Sequence, residues 1–287
     1  MNRLTTEKRA QVIGCLVEGM SIRATVRVTG VAKNTVVKLL CDLGQASSEY
    51  QDYAFRNLNS RIIEADEIWS FCFAKQKNVP EEYKGTPGYG DVWTWTAIDA
   101  DTKLVPSWLV GERTLADCYT FLSDLKSRLK HNRIQLTTDG LAAYATVADA
   151  LWRNSVDFAQ LIKIYGGSGT DTPERTYSPA VCTGTEVRVM AGNPDPDRIS
   201  TSYVERQNLT MRMGMRRFTR LTNAFSKKIE NLAHAVSLHF MYYNFCLVHS
   251  SLTITNEDGK RIKRTPAMAA GVTTFPWSLT QLAALLD

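Results

Sequence analysis

The chain has 287 residues, of which 44% are hydrophobic and 22% are charged, so it is long enough for a sizeable core and more than one domain. No apolar run reaches the roughly 18–20 residues of a membrane span, and the polar N-terminus lacks the apolar segment of a signal peptide. We therefore expect a cytoplasmic protein without membrane contact. The six cysteines include no closely spaced pair, which argues against a zinc ribbon and a disulfide framework.

The net charge of +5 is concentrated in two segments. Residues 1–45 carry seven Lys or Arg against three acids, and residues 200–230 carry seven against two. Two basic segments on a near-neutral background suggest that the chain contacts a polyanion at two places. Ordinary solvated surface charge is the alternative for either segment alone.

Three helices are predicted at the N-terminus, over residues 5–17, 21–28 and 33–43, with Gly44 ending the third. The stretch SIRATVRVTGVAKNTV resembles a helix-turn-helix, in which Gly30 supplies the positive φ of the turn. The second helix of such a unit reads the major groove. Its outward-facing residues would be Lys33, Asn34, Thr35 and Lys38. A generic three-helix packing unit is the alternative.

A polar linker is predicted over residues 46–60, and a sequence rich in predicted strands begins at residue 61. Strands are predicted over 61–73, 91–99, 103–111, 133–138 and 160–165, with helices over 114–130 and 141–152. This order is typical of an RNase H-like α/β domain, a mixed sheet with flanking helices. We place this catalytic domain at 61–253, with an insertion loop at 166–200 and helices at 200–215 and 224–249. The all-α helix-turn-helix domain at 1–45 precedes it, and a C-terminal tail at 254–287 follows, ending in a short helix over 275–287.

Acids interrupt the first of these strands, IIEADEIWSF at residues 62–71, where burial of a carboxylate is costly without a compensating charge. With the period of two in a strand, Glu64 and Asp66 share a face and Glu67 points away. An RNase H-like core has further acids after its fourth strand and on a later helix, and here these are Asp139 and Glu205. We expect Asp66, Asp139 and Glu205 to be catalytic and to bind Mg²⁺, a cation that prefers hard oxygen ligands. That ion, and not a side chain, would supply the compensating charge.

Each of these acids also has another interpretation. Asp66 could lie on an edge strand, and Asp139 in LTTDG could merely begin a turn or cap a helix. Glu205 could be a surface acid, with Glu186 or Glu174 as the real ligand.

Arginines follow Glu205 at helical spacing. At 100° per residue, Arg212 and Arg216 fall within about 20° of Glu205 and Arg220 about 60° away, with Arg206 and Arg217 flanking them. An acid for a metal and a line of arginines for phosphates on one side would form a DNA track.

Four motifs occur in order: IIEADEIWSF, LTTDG, SYVERQNLTMRMGMRRFTR, and YYNFCLVHSSL with TPAMAAG. With them, the sequence resembles a DDE-type insertion-sequence transposase of the insertion-sequence-one type, in the superfamily that includes retroviral integrases. The resemblance covers most of residues 1–271. It implies that Asp66, Asp139 and Glu205 hold two Mg²⁺ ions, with Mn²⁺ able to substitute, for DNA strand cleavage and transfer. It also implies double-stranded DNA as the partner, both terminal repeats and target, and at least a homodimer on that DNA.

Two other functions remain open at this point. One is an RNase H-like nuclease that cuts without strand transfer, and the other is a transposase-derived DNA-binding regulator without catalysis. We expect His234, His239 and His249 to be packing or polar-contact residues rather than metal ligands, because no second metal-binding pattern surrounds them.

Overall fold

The computed structural model describes residues 4–131, 133–165, 182–219 and 223–287. The helices are α1 Thr6–Val17, α2 Ile22–Thr29, α3 Lys33–Ala54, α4 Leu115–Arg128, α5 Ala142–Trp152, α6 Ser202–Gly214, α7 Ile229–Phe245, α8 Pro266–Ala269 and α9 Leu279–Ala283. The strands are β1 Ile62–Cys72, β2 Gly90–Asp99, β3 Ser107–Gly111, β4 Ile134–Thr138, β5 Val156–Tyr165, β6 Cys182–Ala191, β7 His249–Thr255 and β8 Arg261–Arg264.

Six strands form one mixed sheet in the order β3-β2-β1-β4-β5-β6. β1, β2 and β3 are antiparallel neighbours, β4 and β5 run parallel to β1, and β6 is antiparallel to β5. The predicted α/β class with a mixed sheet and flanking helices is confirmed, and the topology is compatible with an RNase H-like fold. β7 and β8 pair separately, so part of the predicted tail is a hairpin.

The sheet buries a different cluster on each face because alternate strand residues point to opposite sides. Ile63 and Ala65 of β1 pack with α4 and α5 on one face. Ile68 and Cys72 belong to a larger cluster on the other face, which includes α6, α7 and the three N-terminal helices. The N-terminal helices therefore share a core with the sheet.

The third helix differs most from its prediction, because α3 continues to Ala54 and most of the predicted linker is helical. Gly44 does not end the helix but lies inside it, where an added Cβ would come within 2.5 Å of the Cβ of His234. The glycine therefore permits close contact between α3 and α7. Ser237 on α7 donates a hydrogen bond to the Gly44 carbonyl at 2.6 Å.

The predicted line of arginines is interrupted, since α6 ends at Gly214 and Met215 has an extended backbone. Arg216 lies in a short 3₁₀ turn, Arg216–Phe218, so it does not continue the face of Glu205. Arg220 lies outside the described residues, as do residues 166–181 of the predicted insertion loop. Its described remainder, 182–200, contains β6 and a 3₁₀ turn at Pro196–Arg198.

Among the described residues, the helices include none with the length and apolar character needed to cross a membrane.

Candidate active site

Asp66 and Asp139 meet where β4 stops. β4 pairs with β1 only up to the register Ala65–Thr138, so Asp139 lies one residue past the end of β4, beside Asp66. Beyond that point, among the described residues, β1 has no partner on this side until the isolated bridge between Cys72 and Ser226, while it continues to pair with β2 on the other side. Carboxylate oxygens of Asp66, Glu67 and Asp139 all lie within 4.8 Å of one another. Three acids thus lie together at the edge of β1 that β4 leaves unpaired, which we call the open edge of β1.

Within the described part of the chain, Asp66 accepts hydrogen bonds from neutral donors only. The backbone N–H of Glu67 donates to its Oδ1 at 2.9 Å, and the side-chain amide of Asn208 donates to its Oδ2 at 2.8 Å. Burial, together with the negative charges of Glu67 and Asp139, raises the pKa of Asp66 to about 7. Among the described residues, no Lys or Arg forms an ion pair with Asp66.

As predicted, the Glu67 side chain lies on the opposite face of β1 from Asp66. It nevertheless belongs to the same site. Its side chain is 1% exposed and is held by the Arg113 guanidinium at 2.5–2.6 Å and by the Tyr144 hydroxyl at 3.1 Å. Burial and the charge of Asp139 raise the pKa of Glu67, and Arg113 partly offsets this effect. The compensating charge for this acid is therefore a side chain, in contrast to the expectation from sequence.

Arg113 follows β3 and also contacts Asp139. Its guanidinium lies 3.7 Å from Asp139 Oδ2 and 4.8 Å from the ring centre of Trp93. Asp139 in turn accepts the N–H of Leu141 at 3.0 Å, and Gln160 on β5 donates to the Asp139 carbonyl at 2.9 Å. The turn after β4 is thus fixed from both sides.

Glu205 approaches the same cavity from α6. Its carboxylate forms an ion pair with Lys163 on β5 and accepts a hydrogen bond from Thr201 at 2.6 Å. Partial burial acts against the charge on Lys163, but the contact with Glu205 raises the pKa of Lys163 overall. Glu205 is 38% exposed, which is close to the 37% of Asp139.

Glu64 fixes the start of the helix that carries Glu205. The N-cap residue Thr201 makes no side-chain capping bond, but Glu64 Oε2 accepts the N–H groups of Tyr203 and Val204 at 2.8 and 3.0 Å. These two groups lack partners within the helix, and a negative charge is favourable at a helix N-terminus. Burial raises the pKa of Glu64, although both backbone bonds oppose the shift. Glu64 is thus an anchor for α6.

Asn208 and Arg212 extend the site along α6, three and seven residues after Glu205, on one face of the helix. Asn208 is 5% exposed, and its contact to Asp66 joins α6 to β1. The sequence prediction included Arg212 but omitted Asn208, and the spacing Glu-x-x-Asn-x-x-x-Arg was the available signal. Lys163, Arg113 and Tyr144 were also omitted, because they come from segments distant in the sequence.

A cavity of about 650 Å³ brings these side chains together, and we call it the acidic cavity. The charged residues and the amide that line it are Asp66, Glu67, Arg113, Asp139, Lys163, Glu205, Asn208 and Arg212. All three predicted catalytic acids are among them. The alternative ligand Glu186 is instead exposed and paired with Arg188, and Glu174 lies outside the described residues.

The predicted DNA-binding residues of the N-terminal segment all lie exposed at the start of α3; they are Lys33, Asn34, Thr35 and Lys38. Lys38 forms an ion pair with Asp42. Gly30 has the predicted positive φ, +70°, and ends α2.

The remaining arginines predicted to bind DNA differ in exposure. Arg206 and Arg216 are exposed, whereas Arg217 is half-buried and donates from Nε to Ser226 Oγ at 2.8 Å.

The residues of the C-terminal motif YN…H…TP make contacts within the fold. Asn244 is fully buried and bonds both the N–H and the carbonyl of Val105 at 3.0 Å. The ring centres of Tyr243 and His249 lie 4.9 Å apart, and Thr265 caps α8. Asn244 thus joins α7 to the loop between β2 and β3.

No protein-family model matches the chain, and the search of curated proteins found no match.

Proposed function

We propose that this protein is a DNA transposase of the DDE type, which cuts DNA at the end of a mobile element and joins that end to target DNA. One observation carries the proposal: Asp66, Asp139 and Glu205, from a strand, a turn and a helix far apart in sequence, line a single solvent-accessible cavity. A sheet order of β3-β2-β1-β4-β5 with the first three strands antiparallel supports an RNase H-like fold for the catalytic part. Fold alone does not determine function, so the site carries the argument.

The donor set suits a hard divalent cation. Carboxylate oxygens converge within 4.8 Å at Asp66, Glu67 and Asp139, and Mg²⁺ and Mn²⁺ prefer oxygen ligands. Asp66, Asp139 and Glu205 would hold Mg²⁺, because Asp139 and Glu205 are more than a third exposed to the cavity whereas Glu67 is almost inaccessible. When bound there, two Mg²⁺ ions would activate the attacking oxygen and stabilise the leaving oxygen in phosphoryl transfer.

The other residues of the cavity would orient the acids and bind the DNA phosphates. Asn208 holds one oxygen of Asp66 and thereby fixes the direction of the other. Lys163 is paired with Glu205 at the surface, where such pairs contribute only about 0–1 kcal/mol and exchange readily. Lys163 and Arg212 therefore provide positive charge for the phosphates of a DNA strand at this cavity.

DNA recognition is proposed for the N-terminal helices, with the exposed start of α3 in the major groove as in a helix-turn-helix. The exposed polar residues there and the positive φ of Gly30 support this proposal. Double-stranded element ends and target DNA are the proposed partners. Two ends must be held at once, so we expect at least a homodimer on DNA.

The test is the joining of DNA to a supercoiled plasmid. The substrate is a duplex that copies the DNA flanking the coding sequence, with its 3′ end already cleaved, and the reaction contains Mg²⁺ or Mn²⁺. We expect joined products with the wild type and a loss of at least about 100-fold in Asp66→Asn and Glu205→Gln, because each removes a charged ligand. Glu186→Gln, which changes an exposed acid outside the cavity, is the matched control.

The outcomes separate the candidate functions. Metal-dependent nicking without joining would identify a nuclease, and DNA binding with neither nicking nor joining would identify a regulator. Undiminished joining by Asp66→Asn would remove that residue from the catalytic set.

A further inference from the structure

A second cavity lies farther along the open edge of β1, with a volume of about 710 Å³. We call it the aromatic groove, and its defining residues are Trp69, Phe71, Lys75, Arg212, Arg217 and Phe225. Arg212 also lines the acidic cavity, so the two cavities are neighbours. The acids and the aromatic groove thus follow one another along the same strand edge.

The aromatic side chains form a half-exposed series. The ring centres of Trp69 and Phe71 lie 5.8 Å apart, and those of Phe71 and Phe225 lie 5.0 Å apart with a tilt of 31°. Phe225 is held in place because Ser226 pairs with the end of β1: its carbonyl accepts the N–H of Phe73 at 2.8 Å. Rings that are fixed and partly exposed offer surfaces on which nucleic-acid bases stack.

The charge of the groove favours a polyanion. Its described lining contains three cations and no acid. Arg217 is half-buried, and within the described part of the chain the contact of Nε with Ser226 is its only hydrogen bond. Its two terminal amino groups therefore have no hydrogen-bond acceptor among the described residues. A partly desolvated guanidinium with unused donors is suited to a phosphate group.

Distance along the strand relates the groove to the acids. Trp69 and Phe71 follow Asp66 by three and five residues, which is roughly 10–17 Å at about 3.3 Å per residue. A stacked nucleic-acid strand covers that distance in roughly three to five nucleotides.

We propose that the aromatic groove binds unpaired nucleotides of the DNA strand whose phosphate is in the acidic cavity, with bases on Trp69, Phe71 and Phe225 and phosphates on Arg212 and Arg217. This inference rests on the proposed function, since it names the form of DNA that the same site accepts. It requires the end of the DNA to be single-stranded, or opened, for a few nucleotides next to the reacting phosphate.

The test compares a blunt 20-base-pair duplex with the same duplex carrying a four-nucleotide 3′ or 5′ overhang, using the full chain without divalent metal. Fluorescence anisotropy gives the affinities, and 2-aminopurine in the overhang reports stacking through quenching. We expect about ten-fold tighter binding of one overhang form and quenching of its 2-aminopurine. Base stacking on an aromatic side chain is strong enough for a change of this size.

Variants locate the effect. Trp69→Leu and Phe225→Leu, on separate segments, should each reduce the overhang preference to less than about three-fold with little change in blunt-duplex affinity. Trp69→Phe should retain the preference, since a ring remains. Tyr119→Ala, which removes an exposed ring on α4, is the control and should behave as the wild type.

A wild type without overhang preference, or a preference that survives both leucine variants, would overturn the inference. A loss of dimer in Trp69→Leu with the preference intact would also overturn it and assign the groove to a second copy of the chain. The two proposals fail separately. Joining without overhang preference would refute only the groove, whereas overhang binding without nicking or joining would refute only the enzyme.

Discussion

At the scale of single residues, the three acids of β1 have three different environments. Glu67 is neutralised by Arg113, and Glu64 by the N-terminus of α6, whereas Asp66 accepts two hydrogen bonds from the described residues, both from neutral donors. The sequence predicted that a metal ion would compensate these acids. For Glu67 this was wrong, because a guanidinium from the end of β3 reaches it. For Asp66 the role of Mg²⁺ stays a prediction.

The metal-free protein should lose stability as pH rises, because of Asp66. Its pKa is about 7 in the folded state against an ordinary 3.8, so the folded state holds the proton more tightly than the unfolded state. The free energy of unfolding should then fall between about pH 4 and 7 and remain low above pH 7. Asp66→Asn should be more stable than the wild type at pH 8 by roughly 2 kcal/mol, and about equal to it at pH 4.

Urea unfolding with EDTA at both pH values measures this difference. Adding Mg²⁺ at pH 8 should restore stability in the wild type but much less in Asp66→Asn. An equal response of both proteins to pH and to Mg²⁺ would contradict the assignment of Asp66.

At the scale of elements, α6 is placed by a side chain outside it. The Thr201 side chain does not cap the first turn of α6. Glu64, which lies on β1, accepts the free N–H groups of that turn instead. The same helix carries Glu205 and Asn208, so the anchor fixes how two residues of the acidic cavity face Asp66. Period-two reasoning placed Glu64 beside Asp66 but could not identify its partner, since the contact spans about 140 residues.

Glu64→Ala should destabilise the protein by about 1–3 kcal/mol, because the N–H groups of Tyr203 and Val204 in the first turn of α6 lose their acceptor. Joining activity should fall as well, since Glu205 and Asn208 lose their fixed position. Thermal unfolding and the plasmid-joining assay measure the two effects.

Glu64→Gln retains an acceptor oxygen and should recover most of the stability. Glu186→Ala, at an exposed acid, should change stability by less than about 0.5 kcal/mol. A Glu64→Ala protein as stable and active as the wild type would show that α6 needs no anchor.

At the scale of the whole molecule, the N-terminal helices and the sheet are parts of one structure. Val36, Leu40 and Leu43 of α3 belong to the same buried cluster as residues of β1 and α7. Gln51, also on α3, donates to the carbonyls of Ser47 and Ser237. Removal of residues 1–45 would therefore expose this core, and DNA recognition by α3 is better tested by substitution at its exposed start.

Gly44→Ala tests this shared core. In an exposed helix the change would be stabilising, but here the new methyl group would lie about 2.6 Å from the backbone of His234. We expect a loss of about 1–3 kcal/mol through overpacking, in one cooperative unfolding transition of the whole chain. Gln45→Ala, one exposed position along the same helix, is the control. Two separate transitions would show that the N-terminal helices fold independently.

The sequence by itself determined most elements and the local chemistry. Runs of apolar, β-branched and aromatic residues identified β1 to β5, and the local pattern placed Asp66, Asp139 and Glu205 on a strand, a turn and a helix, because these signals depend on near neighbours. Only the tertiary structure decided which residues meet them. β4 stops opposite Ala65, so Glu67 joins the site, and Arg113, Lys163 and Asn208 arrive from distant segments. The length of α3 was also decided by tertiary packing. Local propensity predicted that the helix ends at Gly44, but the glycine lies inside the helix because it allows α3 to pack closely against α7.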